Sequence, residues 1–311
     1  MSTSCRRRSR AGTFSVTRVV TADHSRTWSP PGPVDMRAVV GLHRRGAGDP
    51  AFRYLPDGSL LRAVHTPDGP GTLIITPQGG DFLGRAWGPG SQWLLEQMPG
   101  LLGADDDPSS CPVHHPVVGD WLRRARGLRI GRTDRVWEAL VPAILEQKVV
   151  GVEAFRAWRY LVRRFGEAAP GPVPDVWVPP AQRDWADIPV WDWHRSGIEP
   201  VRMRTIRGAT QMDVERHADK LTVLRGVGRW TEAEARARAV GDADAVPVGD
   251  YHIPSIVGYA LIGEKVDDAG MLELLEPYAG HRYRIIRMAE RHGVRAERRG
   301  HRMSKRDYRA F

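Results

Sequence analysis

The run Leu224-Arg-Gly-Val-Gly-Arg-Trp-Thr231 decides how this chain of 311 residues is read. Two glycines around one valine suit a tight turn, and the alanine-rich stretch from Thr231 to Val240 has the composition of a helix. Lacking side chains, Gly226 and Gly228 allow the backbone to turn sharply and to lie close to another molecule. Amide N–H groups at such a turn, with the N-terminus of the helix that follows, make an anion site. Arg225 and Arg229 flank it, placed to reach neighbouring phosphates. A bare Gly-x-Gly is commonly no more than a helix C-cap. Here it is followed, nineteen positions after Thr231, by a lone carboxylate in Val248-Gly-Asp-Tyr-His-Ile253. Asp250 precedes Pro254, so it is expected both to cap a helix and to face a pocket.

Charge points the same way. Lys plus Arg number 46 against 37 Asp plus Glu, a net +9, with a pI near 10.0. A polyanionic partner is the expectation, and nucleic acid is the commonest one. Part of the excess sits in the tails, in Cys5-Arg-Arg-Arg-Ser-Arg10 and between Arg295 and Arg309. An apolar content of 41% with 27% charged residues is enough for a real core. The two cysteines, Cys5 and Cys111, cannot supply a four-cysteine cluster, and no zinc-ligand spacing occurs. No metal site is expected from spacing. No apolar run approaches the ~20 residues that span a bilayer. A reducing cytoplasm, with the protein on the nucleoid, is the expected location, and a monomer the expected state.

Along the chain, residues 1–26 read as a disordered basic tail. Residues 27–112 read as a small α+β domain. In it a short helix at 35–45 precedes antiparallel strands at 52–55, 60–66, 72–76 and 81–87, punctuated by Pro-Asp-Gly and Gly-Gly turns, and a helix at 89–98 follows. Residues 113–294 read as a two-lobed helical domain. It contains a helix over 133–147, capped by Thr133 or Asp134 and kinked at Pro142, and another over 151–164 with Ala154, Trp158, Leu161 and Val162 inward. Helices are also expected over 214–224, immediately before the glycine turn, and over 231–240, 254–262, 271–275 and 282–292. Residues 295–311 read as a basic tail. The fold class is therefore α+β, mainly α-helical, with a small N-terminal antiparallel-sheet domain.

Three blocks, Ala143-Ile-Leu-Glu-Gln-Lys148, Leu224-Arg-Gly-Val-Gly-Arg-Trp-Thr231 and Val248-Gly-Asp-Tyr-His252, together with Leu274-Leu-Glu-Pro-Tyr-Ala-Gly-His-Arg-Tyr283, resemble the helix–hairpin–helix (HhH-GPD) DNA glycosylase superfamily. The branch they resemble is that of 3-methyladenine DNA glycosylase II, whose extra N-terminal domain the α+β unit also matches. The resemblance spans nearly the whole chain between the tails. It implies a base-excision repair enzyme that extrudes a nucleotide from double-stranded DNA into a pocket and hydrolyses its N-glycosidic bond. Asp250 matches the catalytic aspartate, which stabilises positive charge developing at the sugar and can orient water. Gly226, Val227, Gly228, Arg225, Arg229 and Thr231 match the DNA-binding hairpin.

Trp230 stands where lyase members carry a lysine, which implies a monofunctional hydrolase. Its flat face suits a cationic alkylated purine such as 3-methyladenine. Two positions depart from the branch. Glu234 and His281 stand where pocket aromatics are usual, which opens the alternative of a glycosylase retuned to a bulky or hypermodified base. A non-catalytic lesion-binding protein is the other alternative. The residue that wedges DNA falls near Lys148, with Gln147 expected to fill the gap left by the extruded nucleotide. No cofactor is expected beyond a cation that hairpin carbonyls can help hold when DNA is bound.

Overall fold

The computed structural model describes residues 21–293. The chain begins with strand β1 (His24–Trp28) and helix α1 (Met36–Val40), which Asp35 caps by accepting from the Ala38 amide at 3.0 Å. Strands β2 (Phe52–Tyr54), β3 (Leu60–Thr66), β4 (Gly69–Gln78) and β5 (Asp81–Trp87) follow, and then helix α2 (Ser91–Leu101). The five strands form one antiparallel sheet in the order β1-β5-β4-β3-β2. The tail expected over residues 1–26 is corrected at its end: residues 24–26 belong to β1, which pairs His24 with Ala86 and Trp28 with Phe82 at the sheet edge. Four of its five residues are exposed, so no apolar alternation marks it as a strand. Residues 1–20 and the expected tail at 295–311 lie outside the described residues.

Both faces of this sheet are covered, which explains why Leu73-Ile-Ile75 is apolar without alternation. One face packs Leu60, Val64, Leu73 and Ile75 against Leu94, Leu95 and Met98 of α2. The other packs Leu61, Ala63 and Ile74 against Val176 and Val178. Those last residues belong to the proline-containing stretch over residues 166–180. It forms a two-residue ladder between β6 (Glu167–Ala168) and β7 (Trp177–Val178) that lies over the sheet.

The remainder is helical: α3 (Pro116–Arg124), α4 (Val136–Leu145), α5 (Gly151–Phe165), α6 (Val190–Ser196), α7 (Pro200–Ala209), α8 (Arg229–Ala239), α9 (Ile253–Ile262), α10 (Asp268–Leu275) and α11 (Arg282–His292). Two cores sit in it. One joins α4, α5, α7 and α8 around Leu140, Ile144, Leu161 and Ala235, and includes Val227 of the glycine turn. The other joins α3, α9, α10 and α11. Each fully buried Leu or Ile contributes about 2 kcal/mol, so these two cores hold the two lobes as bodies. Among the described residues no helix is long and apolar enough to cross a membrane.

Two local expectations are corrected. Thr133 and Asp134 do not cap α4; Asp134 is left-handed, with φ 53°. The cap comes from Glu215, whose carboxylate accepts from the amides of Val136 (2.7 Å) and Trp137 (3.3 Å). Residues 214–224 form two single 3-10 turns, Val214–Arg216 and Leu221–Val223, and not a helix. Only Val214 and Leu221 are buried in that run, too few to hold an amphipathic helix against the core.

Candidate functional site

The glycine turn uses its two glycines for different reasons. Gly226 is left-handed (φ 93°), and a Cβ there would meet Thr205 Oγ1 at 2.1 Å, so packing inside the protein demands glycine. Gly228 has an ordinary φ of −102°, and a Cβ built on it meets nothing within 4 Å. Its bare backbone is turned to open space. It precedes α8 and offers no side-chain cap to the helix amides, so the N-terminus of α8 presents N–H groups outward. Val227 between them is buried and anchors the loop, while Arg225 and Arg229 are exposed on either side.

Trp230 and Asp250 are brought together. The indole Nε1 donates to Asp250 Oδ2 at 2.9 Å. Asp250 Oδ1 accepts from the amides of His252 (2.7 Å) and Ile253 (2.9 Å), so this carboxylate caps the start of α9 as the sequence reading expected. A carboxylate has about four lone-pair sites. Three are occupied here, which leaves one on Oδ2 for a partner outside the protein. Trp230 is half-buried, and among the described residues no aromatic ring or guanidinium stacks on its indole. Tyr251 beside it is 80% exposed and sits edge-on to His252, their centroids 4.8 Å apart. Nothing in its spacing marked Tyr251 in advance; its exposure next to Asp250 singles it out.

Gln147 is placed otherwise than expected. Its Nε2 donates to Gly226 O (2.9 Å) and to Thr231 Oγ1 (2.8 Å), so both amide hydrogens brace the hairpin from inside. Lys148 next to it is exposed and left-handed (φ 53°), at the tip of the turn between α4 and α5.

Glu234 lies one turn deeper along α8 than Trp230 and is buried. Its Oε2 sits 2.6 Å from Arg238 Nη1. Burial raises the Glu234 carboxyl against the pull of Arg238. Burial works to lower the Arg238 guanidinium, but Glu234, Tyr283 and Glu146 outweigh it and keep the group protonated. His281 goes elsewhere: its ring nitrogens meet Ser110 Oγ (3.3 Å) and Arg284 Nε (3.1 Å), beside the buried Arg284–Asp106 ion pair. The structure therefore unites Asp250, Trp230, the hairpin and Gln147, sets Glu234 one turn inward, and engages His281 in a separate cluster.

Sequence reasoning missed the surroundings of Glu234. Arg238 was visible as an i,i+4 partner. His43, Arg45 and Glu146 were not, since they come from other segments. Burial first, then the guanidiniums of Arg62, Arg238, Arg45 and Arg287, hold the His43 imidazole well below its ordinary range, so it is neutral at pH 7.

No protein-family model and no curated protein sequence matches the chain. Solved structures do. A 3-methyladenine DNA-glycosylase from Archaeoglobus fulgidus is similar with a TM-score of 0.72 at 16% identity, over 85% of this chain and 96% of that one. MBOgg1, solved with a low-affinity DNA ligand, is similar at 0.68 and 14% identity, over 85% and 93%. The 8-oxoguanine glycosylase/lyase of Clostridium acetobutylicum is similar at 0.66 and 9% identity, over 87% and 99%. By its sheet, its helices and these likenesses, this chain has the fold of the helix–hairpin–helix (HhH-GPD) DNA glycosylases.

Proposed function

We propose that this protein is a monofunctional DNA glycosylase of base-excision repair, acting on double-stranded DNA. The observation that carries the reading is the Trp230–Asp250 hydrogen bond one residue into a helix whose N-terminus is bare at Gly228. In this reading a phosphate of the damaged strand lies on the amides after Gly228, with Arg225 and Arg229 on its neighbours. The free lone pair of Asp250 Oδ2 faces the deoxyribose of an extruded nucleotide and stabilises the cation that forms as the glycosidic bond breaks. The base leaves with the electron pair of the C1′–N bond and takes up a proton; water then adds to C1′ of the cation and gives up a proton, leaving an abasic sugar. The centre supplies no amine there: Trp230 cannot form a Schiff base, so the strand stays intact.

Lys148, exposed at its turn, fills the space the nucleotide vacates, since Gln147 is committed to the hairpin. Tyr251 offers an exposed ring to the adjoining backbone or bases. A cation at the hairpin would share Leu224 O and Gly226 O, which already accept from Val227 N and Gln147 Nε2.

The family resemblance makes alkylated purines such as 3-methyladenine the first substrates to test, stacked on Trp230. A glycosylase retuned to another base is favoured by one observation, the Glu234–Arg238 ion pair where an aromatic wall would serve an alkylated base. The test is release from duplexes containing single damaged bases, with products identified. Free base and an abasic strand that breaks only on alkali treatment is the expected outcome. Strand cleavage without alkali, or a covalent adduct trapped by borohydride, would contradict it.

A further inference from the structure

The side of α8 that carries Trp230 continues inward as Glu234 and then Arg238, at four-residue steps on one face. In the proposed function, a base stacked on Trp230 would have its inner edge toward these two. Around them converge Arg45 from the segment after α1, Glu146 from the end of α4, and Arg287 from α11. His43 lies among the same guanidiniums. Charge cancels in pairs: Glu234 with Arg238, Glu146 with Arg45 (3.1 Å) and Glu290 with Arg287 (2.6 Å).

Hydrogen bonding does not cancel. Arg45 Nε, Arg238 Nε and Arg287 Nε are shut off from solvent without an acceptor, and His43 Nε2 has no partner either. The acceptor of this group that lacks a hydrogen bond, Glu146 Oε1, is already ion-paired with Arg45. Buried donors left without acceptors are costly and uncommon in folded proteins. Several of them within one charge cluster about Glu234 and Arg238 suit a ligand that brings acceptors.

We infer that the base this protein extracts is neutral and carries carbonyl or ring-nitrogen acceptors on its inner edge, as oxidised and deaminated purines do, and that Arg238, held by Glu234, selects it. The inference rests on the reading of Asp250 and Trp230 as a glycosylase centre. Methylation of a purine at N3 or N7 works against recognition here on two counts. It consumes an acceptor, and it places a positive charge against a guanidinium. A carbonyl at C6 or C8 supplies an acceptor and no charge, while the ring nitrogen beside it, N1 or N7, becomes an N–H donor. His43, neutral among those guanidiniums, can meet the same edge as donor or acceptor.

The experiment is single-turnover release from three otherwise identical duplexes, containing hypoxanthine, 8-oxoguanine or 7-methylguanine, by the full chain. The wild type is expected to free hypoxanthine or 8-oxoguanine at least about tenfold faster than 7-methylguanine. Arg238→Lys keeps the charge but loses Nε and the planar fork, and is expected to reduce that ratio by about tenfold or more. The double variant Glu234→Leu with Arg238→Leu should reduce it at least as far, with thermal unfolding recorded to show that it folds. Release of 7-methylguanine as the fastest reaction of the wild type would overturn the inference, and so would an unchanged ratio in Arg238→Lys. If none of the three bases is freed while a duplex with a tetrahydrofuran abasic site is bound tightly, the reading of Asp250 fails and the inference falls with it.

Discussion

The two ends of the α8 face that carries Trp230, Glu234 and Arg238 offer a ligand opposite means of recognition. At the outer end, Gly228 has no side chain, Trp230 is half-buried, and Asp250 keeps one lone pair free. At the inner end, Glu234 is buried, Arg238 is nearly so, and the two are bonded to each other and surrounded by further charges. The outer end uses backbone and a single carboxylate, groups that any deoxynucleotide can satisfy. The inner end uses directed N–H groups, which only some bases can. In the proposed function the chemistry belongs to one end and the choice of substrate to the other, so substitutions at the two ends should fail in different ways.

The largest difference is expected at Asp250. Asp250→Asn keeps an oxygen for the amides of His252 and Ile253 but turns an NH2 toward Trp230 Nε1, so it should still fold and bind DNA at a cost of about 1–2 kcal/mol in stability. Base release should fall by about a thousandfold, as for removal of a group that meets charge only in the transition state. Stable folding with retained release would break the assignment of chemistry to this end.

The glycine pair comes next. Gly226→Ala forces a side chain into a left-handed position against Thr205, and should cost about 1–3 kcal/mol in thermal unfolding. Gly228→Ala should leave the unfolding midpoint unchanged and still weaken duplex binding by about tenfold, because its Cβ would point where the phosphate lies. A Gly228→Ala variant that binds DNA normally would mean that this face is not the contact. Gln147→Ala removes two hydrogen bonds to the hairpin and should cost about 1–2 kcal/mol of stability, with weaker duplex binding measured by titration.

The smallest effect is in pH dependence. The folded chain keeps His43 neutral well below its ordinary value of 6.5, while the unfolded chain protonates it near that value. As pH falls below about 6.5 the unfolded state takes up a proton that the folded state refuses, so stability declines in that window. Glu234 and Asp49, raised by burial, act in the opposite sense as pH rises above the ordinary carboxylate range. Comparing His43→Gln with the wild type isolates the imidazole: the variant should show a flatter stability profile between pH 6.5 and 5, and an identical slope would sharpen attention on the carboxyls instead.

The two ends also differed in how far they could be read from sequence. Gly226, Gly228, Trp230 and Asp250 were legible because turn chemistry and helix capping act over a few residues, and the spacing to Asp250 carried the rest. Strands β3 and β5 were legible to the residue for the same local reasons. The inner end depends on Arg45, Glu146 and Arg287, which lie in segments far apart in the chain, and no local rule pairs them. Glu215 is a similar case: it caps α4 from 79 residues away, and its use there accompanies the loss of the helix expected over 214–224. The bonds of Gln147 to Gly226 O and Thr231 Oγ1 were not legible, because a helix-end amide facing DNA and one facing the hairpin have the same sequence.

The central claim is that the Asp250 carboxylate lies against the sugar of the extruded nucleotide, and it can be measured by binding. Two duplexes are compared, one with a neutral tetrahydrofuran abasic site and one with a protonated pyrrolidine in place of the sugar, a mimic of the cationic transition state. The wild type should bind the cationic duplex about a hundredfold more tightly, and Asp250→Asn should lose that preference. Equal affinity of the wild type for both duplexes, or an undiminished preference in Asp250→Asn, would contradict the account.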